Sequence, residues 1–149
     1  MELVAGPDRL AGLLGQADAV VCCAMYHRGS APMFGSAAFA AMKRGALLVN
    51  VARGGLVDEA ALLAVLESGQ LGGAGLDVHA SEPADPDSAL LRHPLVVATP
   101  HVGALTTQMF RRTGAAFAAN LQRWAAGEEP DWAVNRPAFS RWPGPAART

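Results

Sequence analysis

The stretch Gly45–Asp58 reads GALLVNVARGGLVD, and the fold is decided here. Ala46–Val51 is a predominantly apolar run, which is typical of a strand that is buried in a parallel sheet. The run delivers one cation, Arg53, to a loop, and two glycines and an acidic helix start follow at once. Because parallel α/β sheets carry their chemistry at the carboxyl ends of the strands, this arrangement predicts that Arg53 belongs to a functional site.

Strands and helices alternate along the rest of the chain. Short apolar runs predict further strands at Ala19–Cys23, which should be buried on both faces, Gly73–Val78 and Leu95–Ala98. Helical spacing and end signals predict helices at Arg9–Leu14 with Asp8 as its cap, Met33–Met42, Glu59–Ser68, and from Thr106 or Thr107 to about Ala126. With right-handed crossovers, this order gives an α/β fold with a parallel, Rossmann-like sheet.

Composition and charge exclude several classes of protein. The 149 residues are 51% apolar with a net charge of −1, which favours a globular domain over a disordered chain. There is no basic cluster for a nucleic acid and no apolar run long enough to cross a membrane. The start of the chain does not resemble a signal peptide. Adjacent Cys22 and Cys23 suit a buried strand better than a disulfide or a metal site, which is consistent with the cytoplasm.

Polar residues follow several of the predicted strands, and four of them could do chemistry together. His101 can act as an acid or base near neutral pH, and the carboxylate of Glu82 could orient its ring. Arg53 offers a planar fork for a substrate carboxylate. If these three side chains meet in one pocket, they would suit the reduction of a 2-oxo acid. Asp77, at a strand end, could accept a hydrogen bond from a carboxamide.

Each of these residues also has a purely structural interpretation. A single histidine or arginine is more often a loop residue or a surface charge, and either carboxylate could belong to a polar loop or a turn. His27, His79 and His93 lack supporting context, so we assign them to the surface or to packing. The glycines of Gly72–Gly75 precede a strand, whereas a phosphate-binding loop follows one, so we interpret them as a tight turn.

Three segments, MKRGALLVNVARGGLVDEAAL, GGAGLDVHASEP and LVVATPHVGALT, resemble the NAD-binding domain of the D-isomer-specific 2-hydroxyacid dehydrogenases in their order and spacing. The resemblance covers roughly residues 8–135 and implies NAD as cofactor, with NADP not excluded, and a 2-oxo or 2-hydroxy acid as substrate. It implies that Arg53 binds the substrate and that Glu82 and His101 form the acid/base pair. The residues it implies for cofactor binding are Cys22, Cys23, Ala24, Val51, Ala52, Arg53, Asp77, His101 and Gly103, with Asp77 contacting the carboxamide.

The chain departs from the family pattern on its N-terminal side. It has no Gly-x-Gly-x-x-Gly loop that opens a helix, and no acidic residue about 20 positions later for the ribose. We therefore expect a partial NAD-binding domain over residues 1–129 that lacks the N-terminal mononucleotide half. An extended tail over residues 130–149 should follow, in which Asp131–Asn135 resembles the segment that returns to the substrate domain.

The missing half has consequences for function. A fragment of this kind is expected to have little or no activity alone. It should associate as a homodimer or with a missing N-terminal segment, because its sheet edge is unpaired. Two alternatives to a dehydrogenase stay open, namely a non-enzymatic, corepressor-like interaction module and an inactive truncated remnant.

Overall fold

The computed structural model of the chain describes residues 6–27, 29 and 31–134. The chain divides into two compact units, Met1–Gly103 and Ala104–Thr149, which we call unit 1 and unit 2. The part of the predicted tail from Asn135 onward lies outside the described residues. All the predicted site residues belong to unit 1.

Unit 1 is built on a parallel four-stranded sheet in the order β1-β2-β3-β4. The strands are β1 at Ala19–Cys22, β2 at Ala46–Asn50, β3 at Leu71–Leu76 and β4 at Val96–Ala98. Their last residues align in register, so the loops that follow them leave from one edge of the sheet. The predicted parallel, Rossmann-like sheet is confirmed, and this edge positions the site.

The described residues form four α-helices. A 3-10 turn leads into α1 at Leu10–Leu14, and the others are α2 at Ser36–Ala41, α3 at Glu59–Glu67 and, in unit 2, α4 at Thr107–Ala125. The carboxylate of Asp58 caps α3, and the hydroxyl of Thr106 caps α4, each accepting a backbone N–H at 3.0 Å. Within the described part of the chain, no helix is both long and apolar enough to span a membrane.

The helices of unit 1 pack on one face of the sheet, where the core forms. Burial alternates along β2, with Leu48 fully buried on the helical face and Leu47 45% exposed on the other. The core contains Phe39 of α2 and Leu62 of α3, both inaccessible to solvent. Burial of an apolar side chain of this size stabilises the fold by about 1.5–3 kcal/mol.

Two predictions for the helices were wrong. Asp8 does not cap α1, because it lies inside the 3-10 turn and Arg9 occupies the cap position without a side-chain bond. Helix α2 is shorter than Met33–Met42, because Phe34 forms a parallel bridge with Val57 instead. This bridge anchors the segment before α2 to the loop that follows Arg53.

Two predictions for the strands were also wrong. Strand β1 is not buried on both faces, since Val21 is 59% exposed on the face opposite the helices of unit 1. The glycines of Gly72–Gly75 lie inside β3 and do not form a turn. A Cβ on Gly72 would lie 2.4 Å from the carbonyl oxygen of Gly45, so close backbone approach explains the glycine there.

Candidate active site

Asp77 is buried just beyond the end of β3 and anchors the loop that follows β4. Its Oδ1 accepts hydrogen bonds from the Thr99 hydroxyl at 2.5 Å and from the Val102 N–H at 2.9 Å, and Oδ2 accepts the Gly103 N–H at 2.9 Å. The Thr99 hydroxyl, followed by the two backbone N–H groups, lowers the pKa of Asp77 because these bonds favour the carboxylate. A carboxylate offers about four acceptor positions, so one remains for a further donor.

His101 and Glu82 form a direct pair at the same edge of the sheet. The Nδ1 atom of His101 lies 2.8 Å from Oε2 of Glu82, and the two side chains are 42% and 39% exposed. The bond to His101, and then the backbone N–H of His79, lower the pKa of Glu82. With Nδ1 donating to the carboxylate, Nε2 is the nitrogen that can exchange a proton with a substrate.

The backbone of His101 is held in an unusual conformation. Its φ is 55°, in the left-handed region that residues other than glycine rarely adopt. Such a conformation costs of order 1–3 kcal/mol and persists only where the surroundings enforce it. The N–H of His101 donates to the carbonyl of Thr99 at 3.0 Å, which closes a tight turn around Pro100.

Asn50, the last residue of β2, shapes the loop that carries Arg53. Its side chain is fully buried, with Nδ2 donating to the Arg53 carbonyl at 2.9 Å and Oδ1 accepting the Ala52 N–H at 3.1 Å. Sequence reasoning missed this role. The signal was an amide inside an otherwise apolar strand, since a buried polar side chain needs hydrogen-bond partners.

Arg53 lies in a cleft of its own. The cleft measures about 430 Å³ and is lined by Cys23, Ala24, Met25, Tyr26, Val51, Ala52 and Arg53. Five predicted cofactor residues therefore line one cleft, whereas the side chain of Cys22 is buried in the core. Arg53 donates to the Ala52 carbonyl at 2.6 Å and makes no ion pair with any residue that the structure describes. The positive charge of the Arg53 guanidinium is therefore available to an anionic ligand.

Glu82 and His101 line a second, neighbouring cavity of about 480 Å³, with His79, Thr99 and several apolar residues. The structure thus brings Glu82 and His101 into contact but does not place Arg53 in the same cavity. The two regions meet where Gly54 packs against the backbone of His79. Convergence of the three side chains on one pocket stays a prediction.

The residues present suit the nicotinamide end of a dinucleotide. Three donors bind the Asp77 carboxylate, which leaves one acceptor position for a carboxamide, and the backbone after β1 and β2 lines a cleft at the carboxyl edge of the sheet. A pyrophosphate is held by a Gly-x-Gly-x-x-Gly loop at a helix N-terminus, and the sequence contains no such loop. The fit is therefore to the nicotinamide half only.

Acid is expected to destabilise unit 1 through Asp77. A group whose pKa is lower in the folded state binds fewer protons there than in the unfolded chain. Its stabilisation is therefore present above the ordinary aspartate pKa of about 3.9 and is lost as the pH falls through the lowered folded-state value. We expect Asp77→Asn to be less stable than wild type at neutral pH and to lose less stability on acidification.

Urea unfolding of both proteins at a series of pH values measures this effect. The pKa of Glu82 is also lowered in the folded state, so the stability of the Asp77→Asn variant should still fall with acid. Its free energy of unfolding should change less steeply with pH than that of wild type. If the free energy of unfolding depended on pH in the same way in both proteins, this role of Asp77 would be contradicted.

A parallel sheet with a histidine–carboxylate pair and a buried aspartate at its carboxyl edge is the architecture of dinucleotide-binding α/β domains. The family described as D-isomer specific 2-hydroxyacid dehydrogenase, NAD binding domain, matches residues 2–103. The chain belongs to this family, whose cofactor is NAD.

Curated relatives agree with this assignment. D-3-phosphoglycerate dehydrogenase of Bacillus subtilis is 44% identical over 99 residues, which cover 66% of this chain and 19% of that protein. (S)-Sulfolactate dehydrogenase of Chromohalobacter salexigens is 41% identical over 122 residues, which cover 82% of this chain and 40% of that protein. The chain therefore spans well under half the length of these relatives.

Solved structures share the fold. The TT0316 protein of Thermus thermophilus matches with a TM-score of 0.76 and 38% identity, over 82% of this chain and 39% of that one. A D-isomer specific 2-hydroxyacid dehydrogenase of Xanthobacter autotrophicus Py2, solved in complex with NADPH and MES, matches with a TM-score of 0.71 and 32% identity, over 89% and 54% of the two chains. The complex of this neighbour with NADPH is consistent with a nicotinamide cofactor at the site described above.

Proposed function

We propose that the chain supplies the acid/base and nicotinamide-binding part of an NAD- or NADP-dependent D-2-hydroxyacid dehydrogenase, which interconverts a 2-oxo acid and a 2-hydroxy acid. The observation that carries the proposal is the 2.8 Å contact between His101 Nδ1 and Glu82 Oε2. An imidazole held by a carboxylate through one nitrogen, with the other nitrogen free to face a ligand, is suited to proton transfer at a carbonyl oxygen.

Each residue has a defined task in this reaction. The nicotinamide, when bound, supplies or accepts the hydride. His101 donates a proton from Nε2 to the carbonyl oxygen during reduction and takes it back during oxidation, while Glu82 orients the ring and stabilises the imidazolium. Arg53 binds the substrate carboxylate, and the open acceptor on Asp77 orients the carboxamide.

Other features of the proposal do not depend on the contact between His101 and Glu82. The names of the relatives include phosphoglycerate, sulfolactate and glyoxylate or hydroxypyruvate enzymes, so we propose a 2-oxo acid as the substrate class without choosing one. A cytoplasmic location stays a prediction. Association as a homodimer, or with an N-terminal segment that carries the pyrophosphate site, is likewise proposed.

A reductase assay tests the function. The chain is incubated with NADH or NADPH at high concentration, because the pyrophosphate cradle is absent from the sequence, and with a panel of 2-oxo acids. We expect slow consumption of the reduced cofactor. Arg53→Lys should raise KM for the 2-oxo acid by about 10–100-fold, since a charge-assisted hydrogen bond contributes about 1.5–3 kcal/mol and lysine cannot reproduce the planar fork.

The matched control is Arg44→Lys, which makes the same exchange at an exposed position outside both cavities. It should leave KM unchanged. Absence of turnover by the wild-type chain with every acid and both cofactors, relative to a protein-free blank, would remove the catalytic proposal for this chain.

A further inference from the structure

His79 is a buried histidine that contacts both of the loops that carry Glu82 and His101. It is 8% exposed and follows β3 by three residues. Its backbone N–H donates to Oε1 of Glu82 at 3.2 Å, and its Nε2 lies 2.9 Å from the carbonyl oxygen of Thr99. One residue therefore contacts both the carboxylate of the pair and the turn that leads into His101.

The carbonyl of Thr99 is the acceptor on which the conformation of His101 depends. It accepts the N–H of His101 at 3.0 Å as well as the imidazole N–H of His79. His101 has a φ of 55°, so its backbone requires enforcement by neighbouring groups. By holding this carbonyl in place, the ring of His79 holds the acceptor that keeps His101 in its turn.

These contacts fix the tautomer of a neutral His79 ring. A bond to a carbonyl oxygen requires the proton on Nε2, which leaves Nδ1 of the neutral ring as an acceptor. That atom is buried and has no hydrogen-bond partner among the residues that the structure describes. An apolar ring could fill the same space without an unpaired nitrogen, so packing alone does not explain a histidine here.

We propose that His79 is a positioning residue that sets the distance and orientation of the Glu82–His101 pair through its backbone N–H and its Nε2–H. Its importance for turnover rests on the proposed function, whereas its effect on the geometry of the pair does not. In this role it acts by restricting the two loops that carry the pair.

The first test needs no substitution. Long-range ¹H–¹⁵N correlation spectra of the wild-type imidazoles should show His79 as the Nε2–H tautomer at neutral pH, with a slowly exchanging proton. This result is expected because the proton is bonded to a carbonyl inside a buried site. A proton on Nδ1, or rapid rotation of the ring, would overturn the proposal even if every variant of His79 failed to fold.

The second test compares His79→Phe, which keeps a ring but removes the donor, with His79→Gln, whose side-chain amide can reach the same carbonyl. The titration of the Glu82 carboxylate is followed by ¹³C NMR. We expect the pKa of Glu82 to move up toward its ordinary value in His79→Phe, because its bonds from His101 and from the His79 N–H loosen. In His79→Gln it should return toward the wild-type value.

Kinetics give an independent measurement where turnover is present. His79→Phe should lower kcat by about tenfold with little change in KM, as expected for a misplaced acid, and His79→Gln should restore much of it. His93→Phe, the same exchange in a loop outside the pair, should change neither quantity. A Glu82 titration in His79→Phe that matches wild type would refute the positioning role. Absence of turnover in the wild-type chain would instead refute the proposed function.

Discussion

Gly54→Ala is expected to destabilise unit 1 by about 3 kcal/mol or more. A Cβ at this position would lie 2.0 Å from the backbone C and O atoms of His79 and 2.4 Å from the backbone N of Ala80. These are main-chain atoms, so no change of rotamer relieves the overlap and the two loops must separate. The urea unfolding midpoint, followed by circular dichroism, measures the loss.

The effect of Gly54→Ala should extend to the site. Gly54 and His79 form the contact between the loop of Arg53 and the loop of Glu82, so any molecules that still fold should bind and turn over a 2-oxo acid more weakly. Gly12→Ala is the matched control in the same unit. Gly12 lies in α1 with open space around it, and the exchange should stabilise by about 0.5–1 kcal/mol. A Gly54→Ala protein as stable as wild type would show that the two loops are not in contact.

His101→Gln is expected to lower kcat by about 10²–10⁴-fold, the usual contribution of a positioned acid or base. Glutamine keeps a polar side chain of similar reach, but its amide is not an acid and cannot replace the imidazole in donating a proton to the carbonyl oxygen. The His101 side chain is 42% exposed, so the free energy of unfolding should change little. Steady-state rates with a saturating 2-oxo acid, measured beside urea unfolding curves, separate the two effects.

The same variant has a second consequence at Glu82. Its bond to His101 is the main cause of the lowered pKa of Glu82, so the pKa should rise when the imidazole is removed. His93→Gln, a histidine outside the pair, should leave both the rate and this pKa unchanged. A rate for His101→Gln within a factor of about three of wild type would exclude His101 as the acid.

Much of the fold could be predicted because its signals are local. Apolar runs of strand length separated by helical periodicity predicted all four parallel strands, and the predicted starts of α3 at Glu59 and of α4 at Thr106 or Thr107 agree with the structure. The burial of β1 and the place of the glycines in β3 were not predictable in this way. Both depend on which neighbouring element packs against a strand, and the sequence of a single strand does not specify its neighbours.

Part of the site was also readable from residue types and order. Glu82 and His101 were expected to pair, and they lie in contact, because each follows a strand whose carboxyl end meets the same edge. Asn50 left a signal, as an amide in an apolar strand, but its partners and those of His79 could not be recognised from the sequence. Those partners are the carbonyls of Thr99 and Arg53, the first of them 20 positions away along the chain.

By itself, the sequence determined the alternation of strands and helices, and with it the edge at which Arg53, Asp77, Glu82 and His101 gather. These features follow from periodicity and from the direction of parallel strands. Only the tertiary structure decided that His101 adopts a left-handed conformation beside Glu82, that His79 supports both, and that Arg53 occupies a separate cleft. These outcomes depend on hydrogen bonds and close approaches between distant loops, which no local pattern of residues specifies.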